Sequence, residues 1–563
     1  MFELIDRDGL GRIGKFTVGN HKVTTPTIAI VVNPNRQVVP PELMKKMGVE
    51  LIITNSYIIH KNQDTRKIYS KDGLHKTLKW DGPIYTDSGT FQMYSRQIKD
   101  LPNKKIIQFQ KKIKSDIITP VDVFTLPQDD KPVARKKLNE TIKRIKEVSQ
   151  LTKGNFTAPI QGGRHLDLRK LACKKLSKIN PLVFPIGGIV PYMEQYRYSK
   201  LAEIILTCKL NLPFSTPIHA FGAGHPMVFA FLAYLGCDIF DSAMYSLAAQ
   251  RGAYLTVNGT IDSSKLVEFP CTCPACSCST VKEFKSSSMF QKEKFLTLHN
   301  LYVTIAEIKT VRQAIRLNRL GELVQIRARA HPKLGEAVLN ILKKHGADII
   351  PFEKMSKSSA LFYSGAETSY RPEVIDAKIR SKLIGKKFEH PFWGKVPLGL
   401  RSSYPFSQSV TPGGTKFPFC KPTIQLKTIL DYQFGKGASK NFKNLQLEVS
   451  KKTGRIRRVR QCGTLLGTVR PSDGLFIPSF AGAKLLGKYI KTIKVKDKEV
   501  AGFIRIGKSL FARFAFPSKN IRPNEEVLIT FKNKPLALGT ACLSSHEMIQ
   551  FKRGMAVKVR RRS

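Results

Sequence analysis

Between residues 27 and 241 the chain alternates short apolar runs with longer amphipathic segments. The runs have the length and the β-branched content of buried strands, and they read TIAIVVN, LIIT, PIYT, IITPVDVF, FTAPIQG, VFPIGGI, TPIHAF and CDIFD. Between them, residues 133–151 place Leu138, Ile142 and Ile145 at helical spacing, and residues 166–179 form a second amphipathic segment. Strands alternating with helices predict an α/β fold with a parallel sheet. Eight such units favour a (β/α)8 TIM-type barrel, whose active sites form at the carboxyl ends of the strands, and a doubly wound open sheet is the alternative.

The pattern changes twice after this region. A cysteine-rich insertion at about 265–300 and a helical segment complete a predicted catalytic barrel domain over 1–345. Residues 346–483 are richer in aromatic residues, Pro and Gly, and they predict smaller α+β domains. Residues 484–563 predict a small β-rich domain, with strands in FIRIG, LFARFAF, EEVLITF, PLALGTACL and AVKVRRRS.

Charge narrows the possible partners. The 94 Lys and Arg residues exceed the 42 Asp and Glu residues by 52 in a chain of 563, which favours a polyanion such as nucleic acid. A lysine-rich proteome is the alternative, and the basic run at 451–460 fits a solvated strand edge as well as an RNA contact. The longest apolar stretch, 227–240, is too short for a membrane span and contains Gly236 and Asp238. The acidic first residues do not resemble a secretion signal, so we expect a cytoplasmic protein without membrane contact.

Polar residues and glycines recur where the predicted barrel strands end. These residues are Asp87, Asp122, Gln161, Gly187, Gly188 and Asp241. A single aspartate at such a place is usually a helix cap. Three carboxylates on one rim of a barrel are harder to explain in that way, and they predict an active site.

Two rim carboxylates permit double displacement at an anomeric carbon. One attacks C1′ and holds a covalent glycosyl intermediate, while the other transfers protons to and from the leaving and incoming groups. A third carboxylate could accept both N1–H and the exocyclic amine of a guanine. Backbone N–H groups near Gly187 and Gly188 have no side chain to obstruct them and could approach the O6 acceptor.

A second cluster suits a metal. Of the 10 cysteines, four lie within PCTCPACSC at 270–278, and a histidine follows in LTLHN. The thiolates of Cys271, Cys273 and Cys276 with the imidazole of His299 supply the four ligands of a tetrahedral structural zinc, one per chain. Cys278 is surplus, so a set that uses Cys273, Cys276 and Cys278 remains an alternative. A closed site of four protein ligands leaves no position for a catalytic water, so we expect this zinc to support the fold or a dimer surface.

Several motifs resemble one family along nearly the whole chain. They are TDSGTFQ at 86–92, QGG at 161–163, PIGGIVP at 185–191, HAFGAGHPM at 219–227 and FDSAMYS at 240–246. These resemble the tRNA-guanine transglycosylases, and YRPEV, WGKVP and GTVRPSDG in the second half resemble the archaeal form. The sequence from 522 onward is similar to a PUA domain, an RNA-binding module.

The resemblance implies an exchange of guanine at position 15 of the tRNA dihydrouridine arm for 7-cyano-7-deazaguanine, a step toward archaeosine. It implies that Asp241 is the nucleophile and Asp87 the general acid/base, although the reverse assignment stays open and both residues are expected to be catalytic. Thr90 stands where Ser or Gly is commoner, a small departure. The family also implies a homodimer and the same Cys3His zinc site.

The remaining rim residues are expected to bind the base. The resemblance assigns this role to Asp122, Gln161 and the backbone of Gly187 and Gly188. Two other functions compete with catalysis: a paralogue that acts later on the inserted base, and a non-catalytic tRNA-binding protein. Neither would need the rim carboxylates.

Overall fold

The computed structural model describes residues 1–90, 102–152, 154–414 and 417–562. Phe91 and Gln92 of the TDSGTFQ motif and Ser563 of the last predicted strand lie outside these ranges. The chain divides into two compact units. The first comprises Met1–Arg7, Gly11–Arg316 and Leu323–Val338, and the second comprises Asp8–Leu10, Leu317–Glu322 and Leu339–Ser563.

Residues 2–25 form a three-stranded sheet of β1 (Phe2–Asp8), β2 (Gly11–Val18) and β3 (His21–Thr25). Arg12 of β2 is buried and donates to the carboxylate of Asp238 at 2.7 Å and to the backbone oxygen of Thr216 at 3.2 Å. These two residues precede strands of the barrel, so Arg12 marks its amino-terminal end.

A parallel sheet forms the centre of the first unit. Its strands are β4 (Thr27–Val31), β5 (Leu51–Asn55), β6 (Ile84–Asp87), β7 (Ile117–Ile118), β8 (Phe184–Ile186), β9 (Ile218–Ala220) and β10 (Ile239–Ser242), in the order β7-β6-β5-β4-β10-β9-β8. The extended residues 156–160 bridge both edge strands, through Ile118 to Phe156 on one side and Ile160 to Ile186 on the other. Eight parallel segments therefore surround one core, which confirms the barrel prediction over the open sheet.

Helices cover the outside of this sheet. In the described ranges, the helices before the insertion are Pro41–Met47, Ser56–Lys61, Gln63–Leu78, Asn103–Lys112, Lys131–Leu151, Leu166–Leu176, Val190–Glu194, Tyr198–Asn211, Pro226–Tyr234 and Met244–Gln250. Asp130 caps the helix Lys131–Leu151 by accepting from the N–H of Val133, and the predicted apolar positions of that helix are buried. Both helices predicted from spacing are thus present, the second as Leu166–Leu176.

The insertion starts with a hairpin of β11 (Ala253–Thr256) and β12 (Gly259–Asp262). The short helices Pro274–Ser277 and Val281–Ser286 follow, and the long helix Met289–Arg316 returns to the barrel. Tyr254, Leu266, Cys276, Phe284 and Leu296 form a small buried core here. The helices Leu320–Ala328 and Pro332–Ile349 come next and contribute residues to both units.

The described residues of the second unit form four sheets. Two are the pairs β13 (Leu361–Phe362) with β16 (Ser409–Val410) and β14 (Lys387–His390) with β15 (Gly394–Pro397). The third contains β17 (Leu445–Val449), β18 (Ile456–Gln461), β19 (Thr464–Val469) and β20 (Phe476–Pro478). The fourth, in the order β22-β26-β25-β24-β21-β23, contains β21 (Lys491–Val495), β22 (Leu510–Phe511), β23 (Phe516–Pro517), β24 (Glu526–Phe531), β25 (Lys534–Ala541) and β26 (Met555–Arg562). Its helices are Pro372–Ser381, Pro422–Phe434, Phe480–Leu486, Lys498–Arg505 and Ser545–Gln550.

Two predicted strands of the last domain differ from the structure. LFARFAF is divided into β22 and β23 by a 3-10 turn at Ala512–Phe514, and FIRIG is not a strand. The segment FIRIG at 503–507 enters the helix Lys498–Arg505, because Asp497 caps that helix and Ala501 and Ile504 bury one face of it. The apparent alternation in FIRIG comes from Ile504 and Ile506, of which the first is buried and the second is exposed just after the helix. No helix among the described residues is both long and apolar enough to cross a bilayer.

Candidate active site

The barrel brings the predicted rim residues to the carboxyl ends of its strands. Asp87 is the last residue of β6, Asp241 lies near the end of β10, and Gly187 directly follows β8. Gln161 follows the bridged residue Ile160. Asp122 lies four residues beyond β7 and is buried.

Asp87 has an unusual proton affinity for a carboxylate. Burial raises its pKa to about 7, and the negative charges of Asp122 and Asp241 contribute to the same shift. Asn55, at the end of the neighbouring strand, donates from Nδ2 to Asp87 Oδ2 at 2.8 Å. Asp87 can therefore gain and lose a proton near neutral pH, as a general acid/base must.

Asp241 is held from one side only. Its Oδ1 accepts from His219 Nε2 at 2.8 Å and from the backbone N–H of Gly222 at 2.5 Å, while Oδ2 receives no hydrogen bond from the described residues. His219 is fully buried beside the rings of Tyr85 and Phe221. Because a carboxylate accepts, the geometry assigns the proton of His219 to Nε2. Two donors thus fix one oxygen and leave the other for a substrate atom.

Sequence reasoning missed His219 as a functional residue. It lies in a barrel strand, one residue before the strand ends, and it begins the HAFGAGHPM motif. The predicted rim residues are carboxylates, an amide and glycines, and a histidine that contacts Asp241 is not among them.

Asp122 and Gln161 form a buried pair opposite Gly187. Gln161 Nε2 donates to Asp122 Oδ2 at 2.6 Å. Burial raises the pKa of Asp122, and the bond from Gln161 opposes that rise. A Cβ on Gly187 would overlap Gln161 Nε2 and lie 3.3 Å from Asp122 Oδ2, so the approach requires a glycine.

Gly188 and Gln161 complete this pocket. Gly188 has a φ of +68°, and a Cβ there would lie 2.9 Å from the backbone oxygen of Thr125. Gln161 Oε1 is buried and accepts no hydrogen bond from the described part of the chain. A buried polar atom without a partner fits a pocket that a polar ligand would complete.

The second cluster lies in the insertion. One ligand atom from each of Cys271, Cys273, Cys276 and His299 lies within 4.8 Å of the others. The residues that sequence predicted as metal ligands therefore form one group that could bind a metal ion. Cys278 is exposed and lies outside it.

The orientation of His299 suits a metal ligand. Its Nε2 lies 2.9 Å from the backbone oxygen of Leu255, which can only accept, so Nε2 carries the proton. Nδ1 then presents its lone pair, 3.3 Å from Cys276 Sγ. The ring of Tyr254 stacks on His299 with centroids 3.5 Å apart and fixes the imidazole plane.

Comparison with known proteins agrees with these features. The pattern of the queuine tRNA-ribosyltransferase family matches residues 6–333. The patch-forming domain C2 of tRNA-guanine transglycosylase matches residues 425–492, and the PUA domain matches residues 492–562.

Full-length relatives are found in archaea. A protein of Pyrococcus furiosus is 41% identical, over 100% of this chain and 97% of its own length. One of Methanocaldococcus jannaschii is 36% identical, over 99% of each chain. Both are named tRNA-guanine(15) transglycosylase. Because the family pattern covers more than half of the chain and the relatives align from end to end, the chain belongs to the queuine tRNA-ribosyltransferase family and carries a C-terminal PUA domain.

Proposed function

We propose that this protein exchanges guanine at position 15 of tRNA for 7-cyano-7-deazaguanine. The observation that carries the proposal is the convergence of Asp87, Asp122 and Asp241 on one rim of the barrel. The charges of Asp122 and Asp241 contribute to the raised pKa of Asp87. The names of the full-length relatives support guanine 15 as the site. A non-catalytic tRNA-binding protein would not need these carboxylates.

In the proposed reaction Asp241 is the nucleophile. Its Oδ2 attacks C1′ of the nucleotide, the C1′–N9 bond breaks, and the electron pair stays on guanine. Asp87 supplies the proton that guanine takes up. The incoming base then returns a proton to Asp87 and attacks C1′, which releases Asp241. Two inversions give net retention, and no bond energy has to be supplied because one N-glycosidic bond replaces another.

The pocket beside the nucleophile is proposed to read the base. Ionised Asp122 accepts from N1–H and the exocyclic amine, which are present in guanine and in 7-cyano-7-deazaguanine. The amide of Gln161 and the backbone N–H groups of Gly187 and Gly188 approach O6. The close packing of Gly187 against Gln161 supports this arrangement.

The Cys3His group is proposed to hold one structural zinc. Three thiolates and an imidazole are the ligands that tetrahedral zinc prefers, and the bond from His299 to Leu255 directs Nδ1 toward the group. Bound zinc would join the cysteine loop that follows β12 to the long helix Met289–Arg316. All proton transfers are assigned to residues of the rim.

A homodimer in the cytoplasm remains a prediction. The family resemblance is its basis, and light scattering of the purified protein would test the dimer.

Incubation with tRNA and radiolabelled guanine tests the reaction. Label should enter tRNA, and mass spectrometry should locate the exchange at base 15 and show replacement by 7-cyano-7-deazaguanine when that base is supplied. Binding of tRNA without incorporation of either base would contradict the proposal and favour the non-catalytic alternative.

A further inference from the structure

Arg169 is a fully buried arginine that has no acidic partner among the residues that the structure describes. It lies on the helix Leu166–Leu176 with a side chain 0% exposed. Its guanidinium donates from Nε to the backbone oxygen of Gly163 at 3.1 Å, and from Nη1 to those of Ile160 at 2.5 Å and Gly187 at 2.9 Å. It forms no ion pair with any residue that the structure describes.

Two other buried arginines show how uncommon this arrangement is. Arg12 pairs with Asp238. Arg371 pairs with both Glu322 and Glu373. Burial of a charge without a counter-charge is costly even when hydrogen bonds satisfy most of its donors. A neutral side chain could occupy the same space, so packing alone does not explain a charged side chain at this position.

The three acceptors of Arg169 belong to the proposed base pocket. Ile160 and Gly163 flank Gln161, and Gly187 is the residue against which Gln161 packs. The guanidinium therefore ties the QGG segment to the segment after β8. Backbone hydrogen bonds already join Ile160 to this second segment, and Arg169 adds a side-chain link that also includes the carbonyl of Gly163.

The contact with Gly187 also has an electrostatic consequence. The carbonyl of Gly187 and the N–H of Gly188 belong to the same peptide group. A charged donor on that carbonyl polarises the peptide and strengthens the N–H as a donor. Arg169 Nη2 is buried without a hydrogen-bond partner among the described residues, 3.8 Å from the position that a Cβ would take on Gly188. The positive charge thus lies beside the peptide group of Gly187 and Gly188, whose N–H is proposed to contact O6.

We propose that Arg169 is a positioning residue that supports the two base-binding loops and stabilises the negative charge on the departing base. This inference rests on the proposed function. When the C1′–N9 bond breaks, the electron pair enters the purine and part of its charge reaches O6. Neutral bound guanine carries less charge there, so Arg169 acts more strongly on bond cleavage than on base binding.

Two substitutions separate charge from shape. Arg169→Gln removes the charge and Arg169→Lys keeps it, and Arg12→Lys serves as a matched change at the other end of the barrel. We would measure adduct formation with tRNA in a single turnover, and guanine affinity by equilibrium dialysis with radiolabelled guanine. For Arg169→Gln we expect adduct formation to slow by about 100-fold, the typical effect of removing an oxyanion-stabilising group, and guanine affinity to fall by less than about 10-fold. Arg169→Lys should recover part of the rate, and Arg12→Lys should leave both measurements near those of the unaltered protein.

The outcomes are distinguishable. Equal losses of rate and affinity in Arg169→Gln, without recovery in Arg169→Lys, would overturn the charge role. If Arg169→Gln does not fold, Arg169→Lys decides: a larger loss of rate than of affinity supports the proposal, and equal losses contradict it. Failure of the unaltered protein to form any adduct would refute the proposed function itself.

Discussion

The three carboxylates of the rim have different surroundings, and these suit the different roles proposed for them. Two donors hold one oxygen of Asp241, which keeps the carboxylate oriented for attack. Asp87 is raised to a pKa of about 7 by burial and by its acidic neighbours, which suits proton transfer. Asp122 is paired with an amide, which suits recognition of a polar edge.

Substitution of the two proposed catalytic residues should give effects that differ in kind. Asp241→Asn cannot form a glycosyl ester, so no covalent tRNA adduct should remain on a denaturing gel and guanine exchange should be abolished. Asp87→Asn keeps the proposed nucleophile but cannot exchange protons, so an adduct should form slowly and turn over poorly. Asp122→Asn is the control, because it should chiefly weaken discrimination among bases. An adduct in Asp241→Asn but none in Asp87→Asn would make Asp87 the nucleophile.

The raised pKa of Asp87 also predicts a pH-dependent effect on stability. Between its ordinary pKa of 3.8 and the folded value of about 7, the unfolded chain loses this proton while the folded chain keeps it. The contribution of Asp87 to the free energy of unfolding therefore falls as pH rises through that window and stays low above it. Asp87→Asn removes the titration and can still accept from Asn55. At pH 8 it should raise the free energy of unfolding by about 2 kcal/mol, less than the full shift would give because Asp87 is partly exposed.

Chemical denaturation at pH 8 and pH 4.5 measures this effect. The stabilisation should be clearly smaller at the lower pH, where the protonated carboxyl of the unaltered protein resembles the amide. An equal effect at both pH values would show that Asp87 does not resist ionisation in the folded protein.

At this scale the sequence predicted the residues that point into the pocket, but fewer of those that support them. Position at a strand end is visible in the sequence, and it located Asp87, Asp122 and Asp241. Arg169 lies within an ordinary amphipathic helix, and only the fold brings it against carbonyls from two other segments. Such contacts depend on tertiary structure and leave no local pattern.

At the scale of elements, the insertion shows how a metal could replace a missing core. Its buried apolar cluster is small. The helices in the cysteine loop between β12 and the helix Met289–Arg316 are short, none longer than six residues. A few apolar contacts give little stabilisation to such a segment, whereas a metal bound to four residues would constrain it.

Zinc should therefore be measurable in the purified protein. We expect about one zinc per chain, as one tetrahedral site requires, and a loss of both zinc and thermal stability in Cys276→Ser. Cys278→Ser is the matched control, because Cys278 is exposed and lies outside the group. Elemental analysis and thermal unfolding of both variants measure this. Equal zinc loss in the two variants, or full zinc in a variant lacking Cys271, Cys273 and Cys276, would refute the assignment.

The barrel elements were predictable because each strand is buried on both faces and is bounded by turn residues. The strands of the last domain were less predictable, because its short segments are partly exposed. The alternation of a short strand also resembles part of a helical pattern. FIRIG shows the difficulty: Ile504 and Ile506 are two residues apart, as in a strand, while the capping residue Asp497 and the buried Ala501 specify a helix. Packing against the sheet decides between them.

At the scale of the whole molecule, the excess of 52 positive charges should make tRNA binding strongly dependent on salt. Net charge alone does not locate the contacts, because distant lysines attract a polyanion as well. The PUA match at 492–562 suggests one location, where the exposed cations near the end of the domain include Lys552, Arg553 and Lys558.

Two charge-matched triple variants can separate local contact from overall attraction. One replaces Lys552, Arg553 and Lys558 with Gln, and the control replaces Lys170, Lys174 and Lys175 with Gln, which are exposed on an outer helix of the barrel. Both lose the same charge, so general attraction falls equally. If the PUA cations contact phosphates, only the first variant should flatten the slope of log affinity against log salt, by up to about 2, since each lost phosphate contact removes roughly 0.7–0.9. Binding measured by fluorescence anisotropy from low to high salt gives this slope. Identical slopes in the two variants would mean that this part of the PUA domain attracts tRNA without contacting it.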